Sequence, residues 1–121
     1  MNIRRIAELL NATVISGGDK LDSEVHSACG CDMMSDVLAY VKEQAVLLTG
    51  LCNPQVVRTA EMMDMVCIVF VRGKLPPKEV VTLAEEAGIV LLATCERMYV
   101  ACGMLYQNGL SGGCVADARQ H

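Results

Sequence analysis

Three short aliphatic runs, Ala45–Thr49, Val66–Val71 and Ile89–Ala93, each lead into a turn and then a stretch with helical periodicity. Apolar residues at every position mark strands covered on both faces, which in practice means parallel strands joined by helical crossovers. Helices are expected over residues 54–64, 77–87 and, following Thr94-Cys95, to about Asn108, with Val56, Val57, Ala60 and Met63 forming the apolar stripe of the first. Asn53 before Pro54 reads as an N-cap with a first-turn proline, and Gly88 and Gly109 stand where helix C-terminal glycines belong. The fold class is therefore α/β, a three-layer α/β/α sandwich with a mostly parallel sheet.

The first forty residues are less regular. Ile3, Ile6, Ala7 and Leu10 share one face of an N-terminal helix, Thr13–Ile15 reads as a strand, and residues 24–28 read as another. Met34, Val37, Leu38 and Val41 predict a helix over residues 33–43. A single domain over residues 1–110 is expected, followed by a flexible tail over 111–121, where periodicity is lost.

Composition removes several functions. The chain has 121 residues, is 53% hydrophobic and carries a net charge of −4, with three Tyr, one Phe and no Trp. A phosphate backbone attracts the opposite charge and base stacking needs aromatics, so no nucleic-acid partner is expected. None of the aliphatic runs approaches the roughly 18 residues that cross a bilayer, and Glu8 interrupts what would be the apolar part of a signal peptide. No membrane association and a cytoplasmic location are expected. Seven cysteines, an odd number, read as free thiols in a reducing compartment such as an anaerobe's cytosol.

In open α/β sheets, ligands bind beyond the carboxyl ends of the parallel strands. That edge collects Thr49, Gly50 and Asn53 from the first unit, Arg72, Gly73 and Lys74 from the second, and Thr94 from the third. Helix N-termini there add partial positive charge to Arg72 and Lys74, so a phosphate, a nucleotide or a carboxylate would fit. The alternative is a solvated basic pair beside capping residues.

Other chemistry is poorly supported. No Gly-x-x-x-x-Gly-Lys-Ser/Thr loop is present, and Ser16-Gly17-Gly18-Asp19-Lys20 reads as a plain turn. His26 and His121 are the two histidines, and neither is marked as the partner of a cysteine nucleophile. Cys29, Cys31, Cys52 and Cys95 could approach the same sheet edge as metal or cluster ligands, but they lack paired Cys-x-x-Cys spacing and also suit small buried hydrophobes. No cofactor is required by the sequence. On the final helix Tyr99, Cys102, Gly103 and Tyr106 form a stripe beyond what one sheet contact needs, which favours a homodimer.

Leu10-Asn11-Ala12-Thr13-Val14-Ile15-Ser16-Gly17-Gly18-Asp19, Ser35–Ala39, Ile68–Gly73 with Pro77 and Glu79, Leu83–Ile89 and Ala101–Tyr106 resemble the DRTGG domain family, in particular its short stand-alone members from anaerobic bacteria. Leu51 and Cys52 stand where the family has Asp-Arg, and Arg72, Gly73 and Lys74 where it has Thr-Gly-Gly. The resemblance implies an α/β/α domain similar to the N-terminal domain of HPr kinase, found beside regulatory CBS domains, phosphotransacetylase or iron-only hydrogenases. It implies a sensor or scaffold rather than an enzyme. Three readings follow: a non-enzymatic regulatory domain binding a small anion or nucleotide as a homodimer, a cysteine-based metal or redox accessory of hydrogenase metabolism, or a pure interaction subunit.

Overall fold

The computed structural model describes residues 1–40 and 43–113. In chain order the elements are α1 (Ile3–Leu10), β1 (Thr13–Ser16), β2 (Ser27–Gly30), α2 (Met34–Val37), β3 (Ala45–Thr49), α3 (Pro54–Met62), β4 (Cys67–Phe70), α4 (Lys78–Ala87), β5 (Val90–Ala93) and α5 (Met98–Gln107). They form one five-stranded sheet of order β1-β5-β4-β3-β2. β2 to β5 are parallel neighbours, and β1 closes the sheet as an antiparallel edge on β5.

Because the parallel strands step across the sheet in one direction, crossovers of one hand place their helices on one face. The core divides accordingly. Val37, Val57, Ala60, Val80 and Ala84 pack with Leu47, Ile68, Phe70 and Leu91 on that face. Ile3, Ile6, Leu10, Ala101 and Leu105 of α1 and α5 pack with Val46, Leu48, Val69 and Leu92 on the other. Successive strand residues alternate between the two clusters, which is why these strands read as unbroken aliphatic runs. The expected three-layer architecture is the observed one. The strand order never reverses along β2 to β5, so the sheet has no crevice of the switch-point kind among its parallel strands.

Two element assignments differ. The strand expected over residues 24–28 runs from Ser27 to Gly30, because Val25 gives its N–H to Met1 and Glu24 bridges Asn2, leaving pairing with the β3 side to start at His26 and Gln44. The helix expected over residues 33–43 ends at Val37. Ala39 and Tyr40 bond three residues back, which tightens the chain out of the α-helix, and Tyr40 packs against the core. Val41 and Lys42 lie outside the described residues, as do residues 114–121 of the expected tail. Its first residues lie along the outer edge of β2, where the Ser111 carbonyl accepts the Ala28 N–H at 2.9 Å.

Candidate functional site

The loops after β2, β3 and β4 meet at the carboxyl edge of the sheet around Asp32. One of its oxygens accepts the Thr49 hydroxyl at 2.9 Å and the Gly50 N–H at 2.7 Å. Thr49 is fully buried and its hydroxyl in turn accepts the Leu51 N–H, so the start of the β3–α3 loop is fixed by one carboxylate. The Gly50 hydrogen bond, helped by the Thr49 hydroxyl and by the charges of Arg72 and Lys74, holds the Asp32 carboxyl below the usual aspartate value against the opposing effect of burial.

Arg72 and Gly73 both adopt left-handed backbone, at φ 61° and 70°. For a non-glycine residue this costs roughly 1–2 kcal/mol and is held only where surrounding bonds impose it. Here the Arg72 N–H donates to the Glu96 carbonyl at 2.8 Å and the Gly73 N–H to the Thr94 carbonyl at 2.9 Å, which ties the β4 loop to the loop after β5. The geometry turns the Arg72 guanidinium over Gly50, where a Cβ would collide with it. Lys74 is exposed in the same loop. Among the described residues neither cation makes an ion pair with a carboxylate.

The residues expected at this edge separate into two groups. Gly50, Arg72, Gly73 and Lys74 come together. Asn53 occupies the N-cap position of α3 before Pro54, but its side chain makes no capping bond, so its amide stays exposed. Thr94 is buried, donating its hydroxyl to the Leu10 carbonyl at 2.7 Å and accepting the Glu96 N–H at 3.2 Å, so it fastens the β5 loop to α1. The N–H groups of Arg72 and Gly73 are spent inside the protein, and an anion at this edge would therefore meet side chains. Asp32 is the participant the sequence reading misses: it stands in the loop after the β2 candidate, while the expected edge is collected from the three later strands alone.

The cysteines are dispersed by environment. Burial pushes the Cys29 thiol up to about 11, with Tyr40 as a hydrogen-bond partner, and raises Cys102 and the fully buried Cys67 as well. Burial raises Cys52 against the nearby charges of Lys74 and Arg72. Cys95 is exposed and precedes the Arg97 N-cap of α5, outside the helix's first turn. Among the described residues no three His, Cys, Asp or Glu side chains are placed to hold a metal ion, and Cys29, Cys31, Cys52 and Cys95 form no such group. No helix there is long and apolar enough to cross a membrane.

Asp32 makes stability at acid pH a readout of this edge. A carboxyl whose folded value is depressed contributes stability that is complete above its unfolded value of about 4 and is lost as pH falls through the folded value. Urea midpoints of the wild type and Asp32→Asn should differ at pH 6 and converge as the pH is taken below 4. A gap that persists unchanged at pH 2 would show that the carboxylate charge is not what holds the loop.

No curated protein matches the sequence. Among solved structures, the chain is similar to the CBS and DRTGG domains of the regulatory region of Clostridium perfringens pyrophosphatase, crystallised with its activator diadenosine tetraphosphate. The TM-score is 0.70 at 14% identity, and the match covers 96% of this chain and 48% of that one. The chain thus spans about half the length of that structure, and the likeness is one of fold. The model of the DRTGG domain matches residues 5–107, nearly all of the sheet and its covering helices, and the chain belongs to the DRTGG domain family.

Proposed function

We propose that this protein is a non-enzymatic regulatory domain that binds a small anionic ligand, a nucleotide by class, at the carboxyl edge of its parallel strands, and that it works as a homodimer. The observation that carries the reading is Arg72, held in left-handed backbone with its guanidinium over Gly50 and Lys74 two residues on, both cations without a carboxylate ion pair among the described residues. Holding an arginine in a strained conformation at a surface loop has a cost that a structural turn built on Gly73 alone would avoid. Gly50, Asn53, Arg72, Gly73 and Lys74 form the contact surface, while Asp32, Thr49 and Thr94 position the loops. The related pyrophosphatase regulatory region binds a nucleotide activator, which supports the ligand class.

Thermal unfolding with AMP, ADP, ATP, diadenosine tetraphosphate and pyrophosphate tests the ligand. A ligand at 100 times its Kd should stabilise the fold by about 2.7 kcal/mol, a shift of several degrees. Arg72→Ala with Lys74→Ala should abolish the shift. Silence across the whole panel, or the same shift in the double variant, would remove the basis of the proposal.

A further inference from the structure

Gly50 is touched by side chains of opposite charge. The Asp32 carboxylate accepts its N–H at 2.7 Å, and the Arg72 guanidinium occupies the place where a Gly50 Cβ would stand. Both side chains are exposed, yet among the described residues they form no ion pair with each other, and Lys74 forms none either. Each is held by something else: Asp32 by Thr49 and Gly50, Arg72 by the left-handed backbone at its own Cα. The Cys52 thiol, two residues beyond Gly50, feels the charges of Lys74, Arg72 and Asp32 together. Two cations and one anion are thus gathered at this edge and kept apart.

The hydrogen bonds of Asp32 are one-sided. Its Oδ1 accepts both the Thr49 hydroxyl and the Gly50 N–H. A carboxylate offers about four lone-pair sites over its two oxygens, so Oδ1 is filled. Oδ2 accepts nothing from the described residues and keeps both of its own sites.

A bare anion is poorly matched to this arrangement. Arg72 and Lys74 attract it, while the ionised carboxylate beside them repels it. A ligand with hydroxyl groups near its phosphate removes the conflict: the phosphate takes the cations, and the hydroxyls donate charge-assisted hydrogen bonds to Oδ2. The two hydroxyls of a ribose match the two open sites. An analogue without them leaves the carboxylate unpaired beside the phosphate, and a site built this way rejects such an analogue. We propose that Asp32 reads the sugar of the ligand, its Oδ2 accepting the vicinal hydroxyls of a ribonucleotide whose phosphates lie on Arg72 and Lys74. The assignment rests on the nucleotide reading above and names the part of the ligand that decides selectivity.

Calorimetric titration of the full chain with ADP, 2′,3′-dideoxy-ADP and pyrophosphate tests it, with circular dichroism to confirm that each variant is folded at the temperature used. On the wild type, ADP should bind at least about tenfold more tightly than its dideoxy analogue. Asp32→Asn is the informative variant. The Gly50 N–H can only donate, so the asparagine must turn its oxygen to Gly50 and carry its amide nitrogen, a donor without charge, on the open side. ADP affinity should then fall at least about tenfold and pyrophosphate affinity should rise, because the repelling charge is gone. The advantage of ADP over the dideoxy analogue should disappear in this variant. A residue that only fastens the loop would change the binding of all three ligands in the same direction and proportion. That result, or equal binding of ADP and dideoxy-ADP by the wild type, would overturn the sugar assignment and leave the anion site standing. Failure of all three ligands to bind the wild type would overturn both.

Discussion

Phe70→Ala is expected to lower the unfolding free energy by about 3–5 kcal/mol, a large fraction of the roughly 5–15 kcal/mol that holds a domain of this size. Phe70 is the one phenylalanine of the chain and is fully buried on β4, the middle strand of the sheet. It faces the cluster shared by α3 and α4. The surrounding residues include β-branched and short side chains on strands pinned by parallel ladders, which cannot move inward to close the space left behind. Urea unfolding should show the midpoint falling at unchanged slope. Leu75→Ala, at a residue 69% exposed, is the control and should change stability by less than about 0.5 kcal/mol. A Phe70 loss below about 1 kcal/mol would mean that the sheet can repack around the vacancy.

The same burial explains what could be read from the sequence. β3, β4 and β5 are covered on both faces, so each of their residues had to be apolar and each strand announced itself as a run. α3 and α4 lie on one side of that sheet and showed the expected stripes. β2 was misplaced because it is an edge strand: Val25 looks like strand sequence but is recruited by Met1, a partner that local pattern does not reveal. The helix over residues 33–43 is overextended because the apolar spacing of Met34, Val37, Leu38 and Val41 runs on past Val37, whereas the Ala39 and Tyr40 N–H groups bond three residues back and tighten the backbone there.

The candidate site was legible in the same uneven way. Gly50, Arg72, Gly73 and Lys74 follow directly from strand ends, and the structure gathers them. What fixes them is long-range: Asp32 reaches across to Thr49 and Gly50, and Thr94 reaches back to Leu10. Hydrogen bonds between residues far apart in the chain leave no periodic trace. Thr94 therefore looked available for a ligand, while Asp32, which organises the edge, was passed over.

Gly17 and Gly18, adjacent in Ser16-Gly17-Gly18-Asp19-Lys20, are expected to respond in opposite directions to alanine. Gly17 has left-handed backbone at φ 83°, and a Cβ there would stand 2.9 Å from the Val90 Cα. Left-handed strain of roughly 1–2 kcal/mol adds to about 1–3 kcal/mol of overpacking. Gly17→Ala should therefore destabilise by about 2–5 kcal/mol, since the atom in the way belongs to the backbone of β5 and cannot rotate aside. Gly18 has no positive φ and nothing within 4 Å of its Cβ position, and it opens a short 3₁₀ turn. Gly18→Ala should be neutral or stabilise by up to roughly 1 kcal/mol by restricting the unfolded chain. Thermal unfolding of the two single variants in parallel decides the matter. A phosphate-cradling loop would need its glycines for access to a ligand; here Gly17 is needed so that the end of β1 can pass close to β5, and Lys20 reaches the Gly88 carbonyl at the end of α4. Equal tolerance at both positions would contradict that packing role.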